Sequence, residues 1–111
     1  MKYNKIYIFG GTGSGKTTLA KKLSNKLKIP YHSTDDFIYK DNWESKYTEK
    51  QRNKKLKEFL KKKKWIIEGV HKEDWILPAF TKAEIVIILS LPRHILLARI
   101  LKRELKRKFQ K

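Results

Sequence analysis

The sequence predicts an α/β fold, with a parallel sheet held between two layers of helices. Short β-branched and aromatic runs alternate with segments of helical period along the chain. A glycine-rich turn joins the first such run to the first helical segment. Residues 84–91 (EIVIILSL) form a nearly continuous apolar run, the pattern of a strand covered on both faces.

Residues 5–9 (KIYIF) read as a buried strand that stops at two glycines. Residues 15–28 read as a helix, with Leu19, Ala20, Leu23 and Leu27 on one face and Lys21, Lys22 and Lys26 on the other. Residues 29–33 (IPYHS) form a short second strand, and Pro30 confines it to a strand start or a sheet edge. Residues 34–47 are polar and aromatic without a clear period. Thr48 and Gln51 have the spacing of a capping box and open a helix to about residue 63, with Leu56, Phe59 and Leu60 inward. Residues 65–68 (WIIE) are a third strand closed by Gly69, and residues 71–82 a loop with one helical turn around 74–79. The run 84–91 is the fourth strand. Pro92 then marks a helix start, and the helix is expected to reach about residue 108 with Ile95, Leu96, Ile100, Leu101 and Leu105 as its apolar stripe.

A chain of 111 residues is expected to form one domain, here 1–111. It has no cysteine, which excludes disulfides and thiolate metal sites. No apolar run approaches a membrane span, and the first residues lack a signal-peptide pattern, so a soluble cytoplasmic protein without membrane contact is expected. Lys and Arg number 28 against 11 Asp and Glu, a formal net charge of +17. That balance favours polyanions such as nucleotides and nucleic acid, although a solvated lysine-rich surface gives the same composition.

The chemistry is concentrated in residues 10–17 (GGTGSGKT), which fit G-x-x-x-x-G-K-[ST] in full. Glycines let the backbone curl so that successive N–H groups point at phosphate oxygens, and the following helix aims its positive end at the same anion. The nucleotide-binding residues are therefore expected to be Gly11, Thr12, Gly13, Ser14, Gly15, Lys16, Thr17 and Thr18. Lys16 would reach the β- and γ-phosphates of a nucleoside triphosphate, most simply ATP, and the Thr17 hydroxyl would ligate Mg²⁺.

With this loop placed, nearly the whole chain resembles the small nucleoside- and nucleotide-kinase group of P-loop proteins, adenylate kinase and shikimate kinase among them. It is most similar there to the adenylate kinase-related DNA topology modulation (FlaR-like) family. The stretches Ser33-Thr34-Asp35-Asp36, Trp65 to His71 (WIIEGVH), Ile88 to Arg93 (ILSLPR) and Arg99 to Arg103 (RILKR) carry the likeness beyond the loop.

The resemblance implies a sheet order 2-3-1-4-5. It implies that Glu68 orients Mg²⁺ through water. It also implies that an aspartate after the second strand, Asp35 in preference to Asp36, meets or activates the acceptor, while the other caps a helix. Arg99 and Arg103 would contact adenine and phosphate, making Lys16, Asp35 and Arg103 the catalytic set. His32 and His71 lie near the same edge, and Phe37, Tyr39 and Trp43 are either acceptor-pocket or packing residues.

Two features depart from the family. Ser90 stands where an aspartate is frequent, and the sequence ends at Lys111, where relatives continue into a lid and a fifth strand. The expectation is accordingly a sheet of order 2-3-1-4 without its fifth strand. Its open apolar edge at 84–91 would invite self-association. Three functional readings follow: an enzyme that transfers phosphoryl from ATP to a small-molecule or nucleotide acceptor or slowly hydrolyses ATP, nucleotide-dependent nucleic-acid binding through the basic surface, or an ATP-binding remnant of a truncated chain.

Overall fold

The computed structural model describes residues 3–11, 14–40, 44–90 and 94–98. β1 (Lys5–Gly10) is followed by α1 (Lys16–Leu27) and the three-residue β2 (Tyr31–Ser33). A 3₁₀ turn (Thr34–Phe37) and α2 (Glu49–Leu60) lead to β3 (Trp65–Gly69). A second 3₁₀ turn (Asp74–Ile76) runs into α3 (Leu77–Lys82), then β4 (Ile85–Ser90) and β5 (His94–Ala98).

The sheet order is β2-β3-β1-β4-β5. The first four strands are parallel, with Ile6 opposite Ile66 on β3 and Ile85 on β4, and His32 opposite Ile67. Alternate residues of each strand serve opposite faces, as the two-residue side-chain period requires. Ile6, Ile8, Ile66 and Ile87 pack with Ala20 and Leu23 of α1. Tyr7, Trp65, Ile67 and Val86 pack with Leu56, Phe59 and Leu60 of α2 and Phe80 of α3. The Tyr7 and Phe80 rings stack with centroids 4.3 Å apart. The result is the expected three-layer arrangement.

Local signals act as the residue types dictate. The Thr48 hydroxyl accepts from the Gln51 N–H at 3.1 Å, and the Gln51 side chain accepts from the Thr48 N–H at 2.9 Å, closing the capping box of α2. In the aperiodic 34–47 stretch, Tyr39 bridges antiparallel to Lys46. Lys55 of α2 ties this stretch down, donating to the Asp36 carbonyl at 2.8 Å.

The last element corrects the expectation. Residues 94–98 are not part of a helix starting at Pro92: they form β5, antiparallel to β4, with Val86 opposite Ala98 and Ser90 opposite His94. The segment His-Ile-Leu-Leu-Ala is a short apolar run, which helix and strand share equally. The unpaired N–H and C=O groups along β4 decide between them. A fifth strand is thus present, antiparallel and formed from within the chain, and the β4 edge expected to be open at 84–91 is paired.

Candidate phosphate-binding site

The site forms where β1, β2 and β3 end. Gly10 closes β1 against the turn that follows: a Cβ there would lie 2.5 Å from the Ser14 hydroxyl and 3.0 Å from the Leu89 carbonyl. The Ser14 N–H donates back to the Gly11 carbonyl at 3.1 Å, so the chain reverses tightly. Gly15 then enters α1 at φ 92°, ψ 11°, left-handed backbone that side chains disfavour. As the N-cap it offers no side-chain acceptor, and the first turn of α1 has no acidic residue. Within its own N-cap and first turn the positive end of the helix is therefore uncompensated. The Ser14 hydroxyl is buried and has no hydrogen-bond partner among the described residues. The N-terminus of α1, an orphan hydroxyl and the half-exposed Lys16 lie in one stretch of chain here, a donor set that suits phosphate. Thr18 is exposed one residue beyond Thr17, while Thr12 and Gly13 lie outside the described residues.

Thr17 connects this turn to β3. Its hydroxyl donates to Glu68 Oε2 at 3.0 Å, and Glu68 is only 6 % exposed. Ile8 and Ser33 flank Glu68 on the neighbouring strands. Among the described residues no group of three His, Cys, Asp or Glu side chains could hold a metal by itself. One hydroxyl and one carboxylate fit Mg²⁺, which completes its octahedron with water and substrate phosphate oxygens.

Next to Glu68, a Cβ on Gly69 would collide with the Thr34 side chain. The glycine lets buried Thr34 reach His71, whose Nδ1 lies 2.6 Å from the Thr34 hydroxyl. Tyr7 holds the same loop from below, donating to the His71 carbonyl at 3.1 Å. Burial, and then the negative charges of Glu73 and Glu68, push the Tyr7 phenol well above its ordinary range, so it stays a donor. The other ring nitrogen of His71 is 4.0 Å from Asp35 Oδ1.

The two aspartates are thus separated by role. Asp36 accepts from the Ser33 N–H at 3.2 Å, which caps the 3₁₀ turn. Asp35 directs a partly exposed carboxylate toward His71. Across the rim, the Arg52 guanidinium lies 4.7 Å over the Trp75 ring, which neighbours His71.

The structure therefore brings Ser14, Gly15, Lys16, Thr17, Glu68 and Asp35 to one end of the sheet. Phe37 is a core residue against Phe59. Trp43, Arg99 and Arg103 lie outside the described residues. The Thr34–His71 contact joins residues 37 apart in sequence. No local pattern announces it, and Gly69 beside a polar residue was the one available hint.

Among curated proteins, the uncharacterized protein YqaC of Bacillus subtilis (strain 168) is 32% identical over 108 residues, which is 96% of this chain and 60% of that one. The chromosomal replication initiator protein DnaA of Borreliella burgdorferi is 29% identical over 75 residues, 63% of this chain and 15% of that one. Among solved structures, shikimate kinase from Aquifex aeolicus VF5 superposes with a TM-score of 0.52 at 22% identity, covering 75% of this chain and 61% of that one. A sugar kinase from Janibacter sp. HTCC2649 gives 0.50 at 18% identity, covering 96% and 65%. The chain spans about three fifths of the length of YqaC and of the shikimate kinase. The fold is that of the P-loop kinases. The model of the AAA domain matches residues 6–110, and the chain belongs to that family of P-loop proteins.

Proposed function

We propose that this chain binds ATP with Mg²⁺ and transfers the γ-phosphoryl group to a small-molecule or nucleotide acceptor, as a member of the adenylate kinase-related, FlaR-like branch of the P-loop kinases. The observation that carries the proposal is the uncapped N-terminus of α1 at left-handed Gly15, followed at once by Lys16 and by a Thr17 hydroxyl bonded to buried Glu68. The turn and Lys16 hold the β- and γ-phosphates. Thr17 and Glu68 would hold Mg²⁺, and the ion would neutralise charge developing on the phosphate oxygens. Asp35 takes the proton of the acceptor hydroxyl; the acceptor oxygen bonds to the γ-phosphorus as the bridging P–O bond breaks, and ADP leaves. Arg99 and Arg103 supply the remaining contacts to adenine and phosphate.

A second reading, nucleotide-dependent binding of nucleic acid, is favoured by the net charge of +17. Acceptor-dependent ADP release separates the two. Mg·ATP calorimetry tests the shared step. Lys16→Ala is expected to weaken affinity by about tenfold or more, the worth of a charge-assisted contact. Equal affinity in the two proteins overturns the site.

A further inference from the structure

A cavity of about 490 Å³ lies between α2 and α3, within the range of small-molecule sites. Both helices link parallel strands, so both run from the strand ends back toward the strand starts. The cavity is therefore a trough along two helices that point the same way. On α2 it extends from Asn53 to Lys61, about 12 Å at the rise of an α-helix. The α2–α3 layer covers one face of the sheet, while α1, which follows the phosphate-binding turn, covers the other.

The two ends of the trough differ in chemistry. Leu56 and Leu60 form its floor, and half-buried Trp75 and exposed Pro78 form its other side. Trp75 precedes α3 and so stands toward the strand ends. Toward the strand starts stand three lysines, Lys57 and Lys61 from the end of α2 and Lys82 from the end of α3. Their methylene stems extend the apolar wall and leave the ammonium groups at the rim. Among the described residues no acidic side chain lines the trough.

The charge at this rim is only partly answered. Lys61 lies 3.3 Å from Glu58. Neither Lys57 nor Lys82 has an ion-pair partner among the described residues. Both stand in the last turn of a helix, where the helix end carries about half a negative charge. Glu58 thus answers one ammonium and the two helix ends together about another, which leaves about one positive charge over an apolar trough. That surplus suits a single carboxylate and falls short of a phosphate ester, which carries up to about two negative charges. A second copy of this chain, with its net charge of +17, would set like charges against these lysines, and so would the chain's own basic stretch from Arg99 to Lys111.

We propose that this trough is a binding site for a medium-chain acyl carboxylate, with the chain along Leu56, Leu60 and Pro78 toward Trp75 and the carboxylate on Lys57 and Lys82. A short acid would leave the apolar floor unused, and an alcohol of the same length would leave the ammonium groups unanswered. The site does not depend on the phosphoryl-transfer reading. Trp75 reports its occupancy, because the ring lines the trough while the Arg52 guanidinium rests 4.7 Å from its centroid.

The test is a titration of the full ¹⁵N-labelled chain with butanoate, hexanoate and octanoate, with octanol as the control without charge. Octanoate is expected to shift the Trp75 indole and the amides of Lys57 and Lys82. Affinity is expected to rise about fourfold for each CH₂ added along the series, the worth of a buried methylene. Octanol is expected to bind at least about tenfold more weakly than octanoate, the loss of a charge-assisted contact. Lys57→Ala with Lys82→Ala, both exposed positions, is expected to weaken octanoate by the same factor while the rest of the spectrum stays in place. Lys16→Ala, which alters the phosphate-binding turn, leaves octanoate binding intact. Octanol binding as tightly as octanoate, an affinity that does not grow with chain length, shifts confined to Gly15 and Lys16, unchanged octanoate affinity in the double variant, or no binding of any acid overturns the proposal.

Discussion

Glu68 is the buried ionisable carboxylate of the described residues, and it sits where Thr17 can reach it. Glu68→Gln keeps an oxygen that accepts the Thr17 hydroxyl while removing the charge a cation needs. The expected outcome is an unchanged thermal midpoint, unchanged Mg²⁺-free nucleotide affinity, and a weakened response of that affinity to Mg²⁺. Calorimetry with and without the ion measures it, and an identical Mg²⁺ response in the two proteins rules Glu68 out as a metal residue. His32 gives a second test at this scale. Burial depresses its folded-state pKa below the ordinary 6.5, so the unfolded chain binds the proton more readily. The linked stability is complete above pH 6.5 and is lost as pH falls through the depressed value. Thermal midpoints across this window should drop more steeply for the wild type than for His32→Gln. The tight turn between β1 and α1 was legible because its glycines let the chain reverse and enter the helix through left-handed backbone. The separation of Asp35 from Asp36 was legible only as an alternative, since both can cap, and the backbone geometry of the turn decides which one does.

Among the elements, α2 announced its own start, and its Thr48–Gln51 box formed as read. Thr48→Ala should cost about 1 kcal/mol, the usual worth of such a cap, in chemical denaturation. β1, β3 and β4 were equally legible, because buried parallel strands need continuous apolar runs. The segment after Pro92 was not. Its leucines and isoleucine fit the helical stripe and the strand alike, and the choice rests on hydrogen-bonding groups of β4 that no local pattern reveals. Hydrogen exchange separates the two states. With β1 on one side and β5 on the other, amides along 86–89 should all exchange slowly. Fast exchange at alternate positions would show β4 to be an edge.

At the scale of the whole molecule, 28 basic against 11 acidic residues leave the folded chain repelling itself. Sodium chloride should raise the thermal midpoint between low ionic strength and about 0.15 M, where the screening length falls to about 8 Å. A midpoint that is flat or falls over that range would mean that the charges are already compensated within the fold. That the candidate residues would lie near one another was legible because each stands at or just after a strand end, and parallel strands place those ends together. What lay beyond reach was the Thr34–His71 contact across 37 residues, and the direct hydrogen bond between Thr17 and Glu68, which the resemblance had only brought to one ion. The sheet also divides the interior into two cores that meet only through the strands, one lined by α1 and the other by α2 and α3. Substitutions buried on opposite faces share no packing neighbour, so their costs add instead of compounding. The chain can accumulate changes behind α2 and α3 without disturbing the packing of α1 against the other face. Such a molecule can drift on one face of its sheet while the other face stays as it was.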